Sequence, residues 1–141
     1  LDTRNTYETY VGTFENAIIW PMRSFSEIVE KVERSFDKKQ KIAMFCTGGV
    51  RCEKLSSWML ENGYENIYQL EGGIVRYLEQ MPAEKSKWQG ACYVFDERVA
   101  VTHGNKRDED VTLCPGCDHP LVEKDRQHPA YLPATQCGWC V

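Results

Sequence analysis

Apolar residues along this chain fall first at helical spacing, then in short runs, and finally lose any period. Phe25, Ile28, Val29, Val32 and Phe36 recur three or four residues apart, which predicts a helix over Ser24–Phe36 with Ser24 as N-cap and Glu27 completing a capping box. Ile42–Phe45 is a short apolar run that reads as a buried strand. A second helix is expected from Val50 to Glu61, with Leu55, Trp58 and Met59 facing inward and Gly63 closing it. Ile67–Leu70 follows as another strand, and Gly72-Gly73 introduces a short helix from Ile74 to Gln80 that Pro82 ends. Strands alternating with helices predict an α/β fold, a parallel sheet flanked by helices.

Beyond Pro82 the pattern weakens. Ala83–Lys87 is polar, Cys92–Val101 alternates strand-like and charged residues, and Asp108-Glu109-Asp110 forms an acidic loop. The expected division is a domain over residues 1–82 and a small irregular extension over 83–141, since 141 residues hold one modest core but not two. Leu1-Asp2-Thr3-Arg4 reads like the end of a strand, so the domain is expected to be truncated at its N-terminus. Net charge is −4, so neither part is a polycation, and any affinity for RNA must come from a local patch. No apolar run reaches the roughly 18 residues of a membrane span, and no signal-peptide pattern opens the chain. A cytoplasmic protein with no membrane or DNA partner is expected, in an oligomeric state the sequence leaves open.

The residues around Cys46 carry the sharpest chemistry. A short strand ends at this cysteine, and Thr47-Gly48-Gly49-Val50-Arg51 turns into the next helix. An anion at a helix start meets free backbone N–H groups and the positive end of the dipole. Cys46 is therefore expected to ionise below the usual thiol value of about 8.5. Gly48 and Gly49 let the backbone curl around the sulfur, and Arg51 adds a positive charge. Cys52, in the first turn of that helix, is either a buried helix residue or a thiol able to pair with Cys46. Cys92 reads as core.

Four of the seven cysteines lie in two C-x-x-C units, Cys114-Pro115-Gly116-Cys117 and Cys137-Gly138-Trp139-Cys140. Spacing of this kind is that of a four-cysteine structural zinc site, and metal binding would stabilise a segment too small to build its own core. His119 and His128 are alternative ligands. Disulfides remain the competing reading.

Asp2-x-Arg4, Glu8, Gly12-Thr13-Phe14, Ala17-Ile18, the loop from Cys46 to Arg51 and Leu70-Glu71-Gly72-Gly73-Ile74 occur in an order that resembles a rhodanese domain. That resemblance implies a cysteine able to hold sulfane sulfur as a persulfide within a six-residue loop. Phosphatases related to this family use a longer loop, so phosphate chemistry is disfavoured. Further residues tighten the likeness: Cys52-Glu53-Lys54, Trp88-x-Gly90-x-Cys92, Val94 to Val101, His103-Gly104 and the two cysteine pairs. Over nearly its whole length the chain resembles the bacterial rhodanese-containing tRNA uridine hydroxylases. The resemblance implies oxygen-dependent 5-hydroxylation of the wobble uridine, with molecular oxygen as co-substrate and tRNA as partner. It also implies a further N-terminal domain ahead of the rhodanese.

No pattern for flavin, haem or a two-histidine, one-carboxylate iron site is present, so no organic cofactor is expected. Three roles for Cys46 are then open: addition to C6 of uracil, persulfide transfer, or none, with the fold acting as a recognition module. Asp2 and Arg4 are expected to make buried polar contacts beneath the loop. Trp88, Tyr93 and Phe95 are either core or stacking surfaces for unpaired bases. Arg98, Lys106 and Arg107 are either phosphate contacts or a solvated cluster.

Overall fold

In the computed structural model, which describes residues 1–140, the chain forms α1 (Thr6–Thr9), β1 (Gly12–Phe14), α2 (Ile28–Ser35), β2 (Lys41–Met44), α3 (Val50–Glu61), β3 (Asn66–Gln69) and α4 (Gly73–Gln80). After Pro82 come β4 (Trp88–Gly90), β5 (Cys92–Tyr93), β6 (Ala100–Val101), β7 (Thr112–Leu113), β8 (Pro120–Leu121) and α5 (Glu123–Arg126). The expected capping box forms: Glu27 accepts from the Ser24 N–H at 3.0 Å and the Ser24 hydroxyl accepts from Ser26. The first turn there, Phe25–Glu27, is a 3₁₀ helix running straight into α2.

β2 and β3 pair in parallel, Lys41 opposite Asn66 through Met44 opposite Gln69. Asp2 extends this layer with parallel bridges to Phe45 on one side and Ile19 on the other. Side chains of the central strand alternate between its faces. Ile42, Met44 and Cys46 join Ile28, Val32, Leu55 and Met59 in a core with α2 and α3, while Phe45 points to a second core with Ile74 and Leu78 of α4.

The expectation of a parallel sheet holds only for this layer. β1–β4, β5–β6 and β7–β8 are antiparallel pairs, so the architecture is α/β with mixed pairing. Short apolar alternation says which residues share a face but carries no information on strand direction. The β1–β4 pair sets Phe14 opposite Trp88, and Trp88, Cys92, Val94 and Val101 complete the core around Phe45, Ile74 and Leu78. Chain beyond Pro82 thus packs directly against the element that carries Cys46.

Candidate active site

Cys46 lies where β2 gives way to α3, and it is 1% exposed. Gly49, at φ 95, is the N-cap of α3 and donates its N–H to the Cys46 sulfur at 3.1 Å. The left-handed backbone at Gly49 turns that N–H inward, a conformation glycine adopts without strain. The Cys46 thiol is pulled down to about 5, first by the hydrogen bond from the Cys52 side chain, then against the opposing effect of burial by the Cys52 and Gly49 N–H groups and by the nearby Arg51 charge. Cys52 is pushed upward in turn, because it is the donor beside an anion and is itself buried. Of the two sulfurs, Cys46, which accepts the Gly49 N–H at the start of α3, is the one whose ionisation is favoured.

The loop is held from behind by α4. Ile74 donates its N–H to the Cys46 carbonyl at 3.0 Å, and Val75 does the same to the Thr47 carbonyl at 3.1 Å. Gly73, at φ 69, makes this approach possible: a Cβ there would overlap the Thr47 and Cys46 carbonyls. Gly48, by contrast, faces open space and leaves one side of the lip clear.

Arg51 does not project freely toward the sulfur. Its guanidinium meets both oxygens of Glu8 at 2.6 and 2.8 Å and the Thr47 hydroxyl at 3.2 Å. Glu8 is fully buried and also accepts the Asn5 N–H at 3.0 Å, in the capping box that opens α1. Sequence reasoning noted Glu8 only within the family pattern and missed it as the partner of Arg51. The Asn5-x-x-Glu8 capping spacing was the available sign of a helix there.

Beneath the loop, Asp2 and Arg4 form the expected buried contact, a two-pronged pair at 2.9 and 2.8 Å with neither residue exposed. Arg4 also donates to the Gly12 carbonyl at 2.6 Å and lies over the Trp88 ring. Trp88 is core, whereas Phe95 is exposed beside Arg51; one sequence pattern covered two different environments. Cys92 is fully buried and its thiol is pushed up to about 11 by that burial. Arg98 pairs with Asp96 and Arg107 with Glu109.

The four remaining cysteines converge. The sulfurs of Cys114, Cys117, Cys137 and Cys140 all lie within 4.8 Å of one another, with pairs at 3.6, 3.7 and 4.0 Å. Metal–sulfur bonds of about 2.3 Å in a tetrahedron put sulfurs about 3.8 Å apart, so this cluster is able to hold a metal ion. Backbone N–H groups of Gly116 and Trp139 point at the Cys114 and Cys137 sulfurs. His119 instead stacks on Trp139, and the His128 ring accepts the Ala130 N–H; neither joins the cluster.

Cys46 thus sits at the carboxyl end of a parallel strand, with the Gly49 N–H of the following glycine turn directed at its sulfur. The family model for the rhodanese-like domain matches residues 1–80, and the chain belongs to that family. It is also 47% identical over 142 residues to a tRNA uridine(34) hydroxylase of Sinorhizobium medicae (strain WSM419), an alignment covering 99% of this chain and 45% of that protein. The chain thus spans about half the length of this curated relative. Among the described residues, no helix is long and apolar enough to cross a membrane.

Proposed function

We propose that this chain carries the thiol centre of a tRNA-modifying enzyme that hydroxylates wobble uridine at C5 with molecular oxygen as co-substrate, and that Cys46 is its catalytic residue. The observation that carries the reading is the Cys46 sulfur, which accepts the Gly49 N–H at the start of α3 and whose pKa is lowered there, in a chain 47% identical to a tRNA uridine(34) hydroxylase. A thiolate adds to C6 of uracil, and the displaced C5=C6 electron pair moves onto the C4 oxygen as an enolate. Molecular oxygen must first be reduced by two electrons to a hydroperoxide, by a thiol donor that leaves as its disulfide; C5 then attacks that hydroperoxide, one oxygen bonding to C5 and the other leaving as water. Loss of the C5 proton expels Cys46 and restores the ring. The Gly49 N–H, already directed at the sulfur, and the positive end of α3 would stabilise the developing negative charge, with Arg51 contributing through its field.

In this reading residues 1–82 supply the chemistry, and residues 83–141 are an extension organised by structural zinc on Cys114, Cys117, Cys137 and Cys140. The protein acts in the cytoplasm with tRNA as its partner. A second reading, sulfur transfer through a Cys46 persulfide, is favoured by the Cys52 thiol beside Cys46. The thiolate would displace a leaving group from a sulfane-sulfur donor and pass the outer sulfur to an acceptor.

The test is nucleoside mass spectrometry of tRNA from cells lacking the protein, complemented with wild type or Cys46→Ala. Return of 5-hydroxyuridine derivatives with wild type alone supports hydroxylation. Thiolated nucleosides that depend on the protein, with no change in hydroxylated ones, would replace it with sulfur transfer.

A further inference from the structure

One face of the molecule is aromatic from the Cys46 loop to the four-cysteine cluster. Phe95 is 64% exposed, and its ring centroid lies 5.8 Å from the Arg51 guanidinium carbon. It meets Tyr7 and Tyr93 edge to face, with centroids 6.4 and 5.1 Å away. Tyr7 precedes Glu8, so this trio is attached to the same short helix that holds Arg51 in place. Beyond Tyr7 lie two clefts, of about 530 Å³ between Thr6, Arg23 and Trp139 and about 300 Å³ between Tyr93 and Asp118. Tyr7 and His119 are walls of both.

Trp139 is exposed and yet fixed. Its indole stacks on His119 with centroids 4.3 Å apart and planes 12° from parallel, and Tyr10 packs edge-on against both rings. The indole N–H donates to Asp125 Oδ1 at 3.2 Å, the oxygen that also accepts the Tyr10 hydroxyl at 2.7 Å. Its backbone N–H donates to the Cys137 sulfur. An aromatic plane immobilised in this way loses little entropy when a second plane stacks on it.

The chemistry around these rings suits a nucleic acid. Arg23, on the wall of the larger cleft, has no carboxylate partner among the described ion pairs, and Lys124 sits over the Tyr10 ring at 4.6 Å. The one carboxylate on that wall, Glu27, is occupied by the Arg23 and Ser24 N–H groups. An apolar protein partner would need a run of exposed aliphatic side chains, but of the two aliphatic residues in this cleft Met22 is 1% exposed, which leaves Pro21 alone. Bases present flat π faces that stack on aromatic side chains in any sequence.

We propose that this face is a binding site for single-stranded RNA, in which nucleotides beside the target uridine stack against Phe95 and the Trp139–His119 pair while the target base reaches Cys46. The proposal deepens the tRNA-modification reading and rests on it for the choice of RNA.

Fluorescence anisotropy tests it with two labelled RNAs: an anticodon stem-loop transcript with an unpaired uridine-containing loop, and a fully paired duplex of the same composition. Phe95→Ala and Trp139→Leu should each weaken stem-loop binding about tenfold and leave duplex binding unchanged, while Trp139→Phe retains most of the affinity. Phe95 is far enough exposed that its removal leaves the fold intact, so wild-type binding by Phe95→Ala overturns the proposal. Equal affinity of wild type for both RNAs overturns it as well. The two readings separate in a turnover assay. If the variant combining Phe95→Ala with Trp139→Leu hydroxylates with wild-type kcat/KM, stacking fails and hydroxylation stands; if the aromatic variants lose loop binding but wild type forms no 5-hydroxyuridine, stacking stands and hydroxylation fails.

Discussion

Glu8 and Arg51 are 43 positions apart and meet in a two-pronged ion pair at 2.6 and 2.8 Å beside the Cys46 loop. The pair does two things. It ties α1 to the first turn of α3, and it sets a carboxylate against the positive charge that Arg51 presents to the sulfur. Replacing Glu8 with Ala leaves the guanidinium without its partner. Because the Arg51 side chain is 19% exposed, the expected loss is at the low end for a broken buried pair, about 3 kcal/mol. Urea denaturation measures it, and an unchanged midpoint would remove this pair from the account of stability.

Alkylation of Cys46 should be nearly independent of pH from 8 down to the region of about 5, where protonation of the thiolate lowers the rate. Cys52→Ala removes the sulfur donor and should move that midpoint upward, toward the ordinary thiol value of about 8.5. The same depression links to folding. The folded chain binds fewer protons than the unfolded one, so this contribution to stability is fully present above about 8.5 and is lost as pH falls through about 5. Iodoacetamide kinetics over a pH series, read by mass spectrometry at Cys46, would show the effect; identical profiles for wild type and Cys52→Ala would contradict it.

Gly73→Ala is expected to disable the site without touching any reactive group. The added Cβ overlaps the Thr47 and Cys46 carbonyls, and alanine is strained at φ 69. Together these effects should cost about 2–3 kcal/mol and displace the loop. A higher Cys46 titration midpoint together with a lower Tm is the expected result, whereas a variant with wild-type Cys46 reactivity would show that α4 does not hold the loop in shape.

The four-cysteine cluster should bind one zinc ion per chain, measured by elemental analysis of the purified protein. Cys114→Ser or a strong chelator should release it and loosen the segment from Val111 to Cys140, seen as altered Trp139 fluorescence and faster hydrogen exchange there. The cores around Ile42 and Ile74 should keep their protection. Full protection of the segment after metal removal would show that its own packing is sufficient.

Much of the local structure was legible from residue order. Ser24 and Glu27 marked the start of the helix that leads into α2, and the glycine turn after Cys46 marked the start of α3. The expected span Val50–Glu61 is the observed one. Boundaries of β2 and β3 differ from expectation by one residue, since Phe45 and Leu70 lie just past the strands. Trp88, Tyr93 and Phe95 show where the pattern ran out. Alternation in a short segment cannot say which face meets the core, and Phe95 is exposed while Trp88 lies under Phe14 and Arg4.

By itself, the sequence determined the features that depend on neighbours along the chain: helical period, capping, a thiol at a glycine turn, and two close cysteine pairs. These follow from backbone geometry over a few residues, so composition and spacing carry them. Tertiary structure alone decided which distant groups complete the site. Glu8 reaching Arg51, α4 amides holding the Cys46 and Thr47 carbonyls, the antiparallel β1–β4 pair and the Trp139–His119 stack on Tyr10 all join segments separated in sequence. Such contacts form because burial leaves a carboxylate, a carbonyl or a ring no other partner, and that condition exists only once the chain has folded.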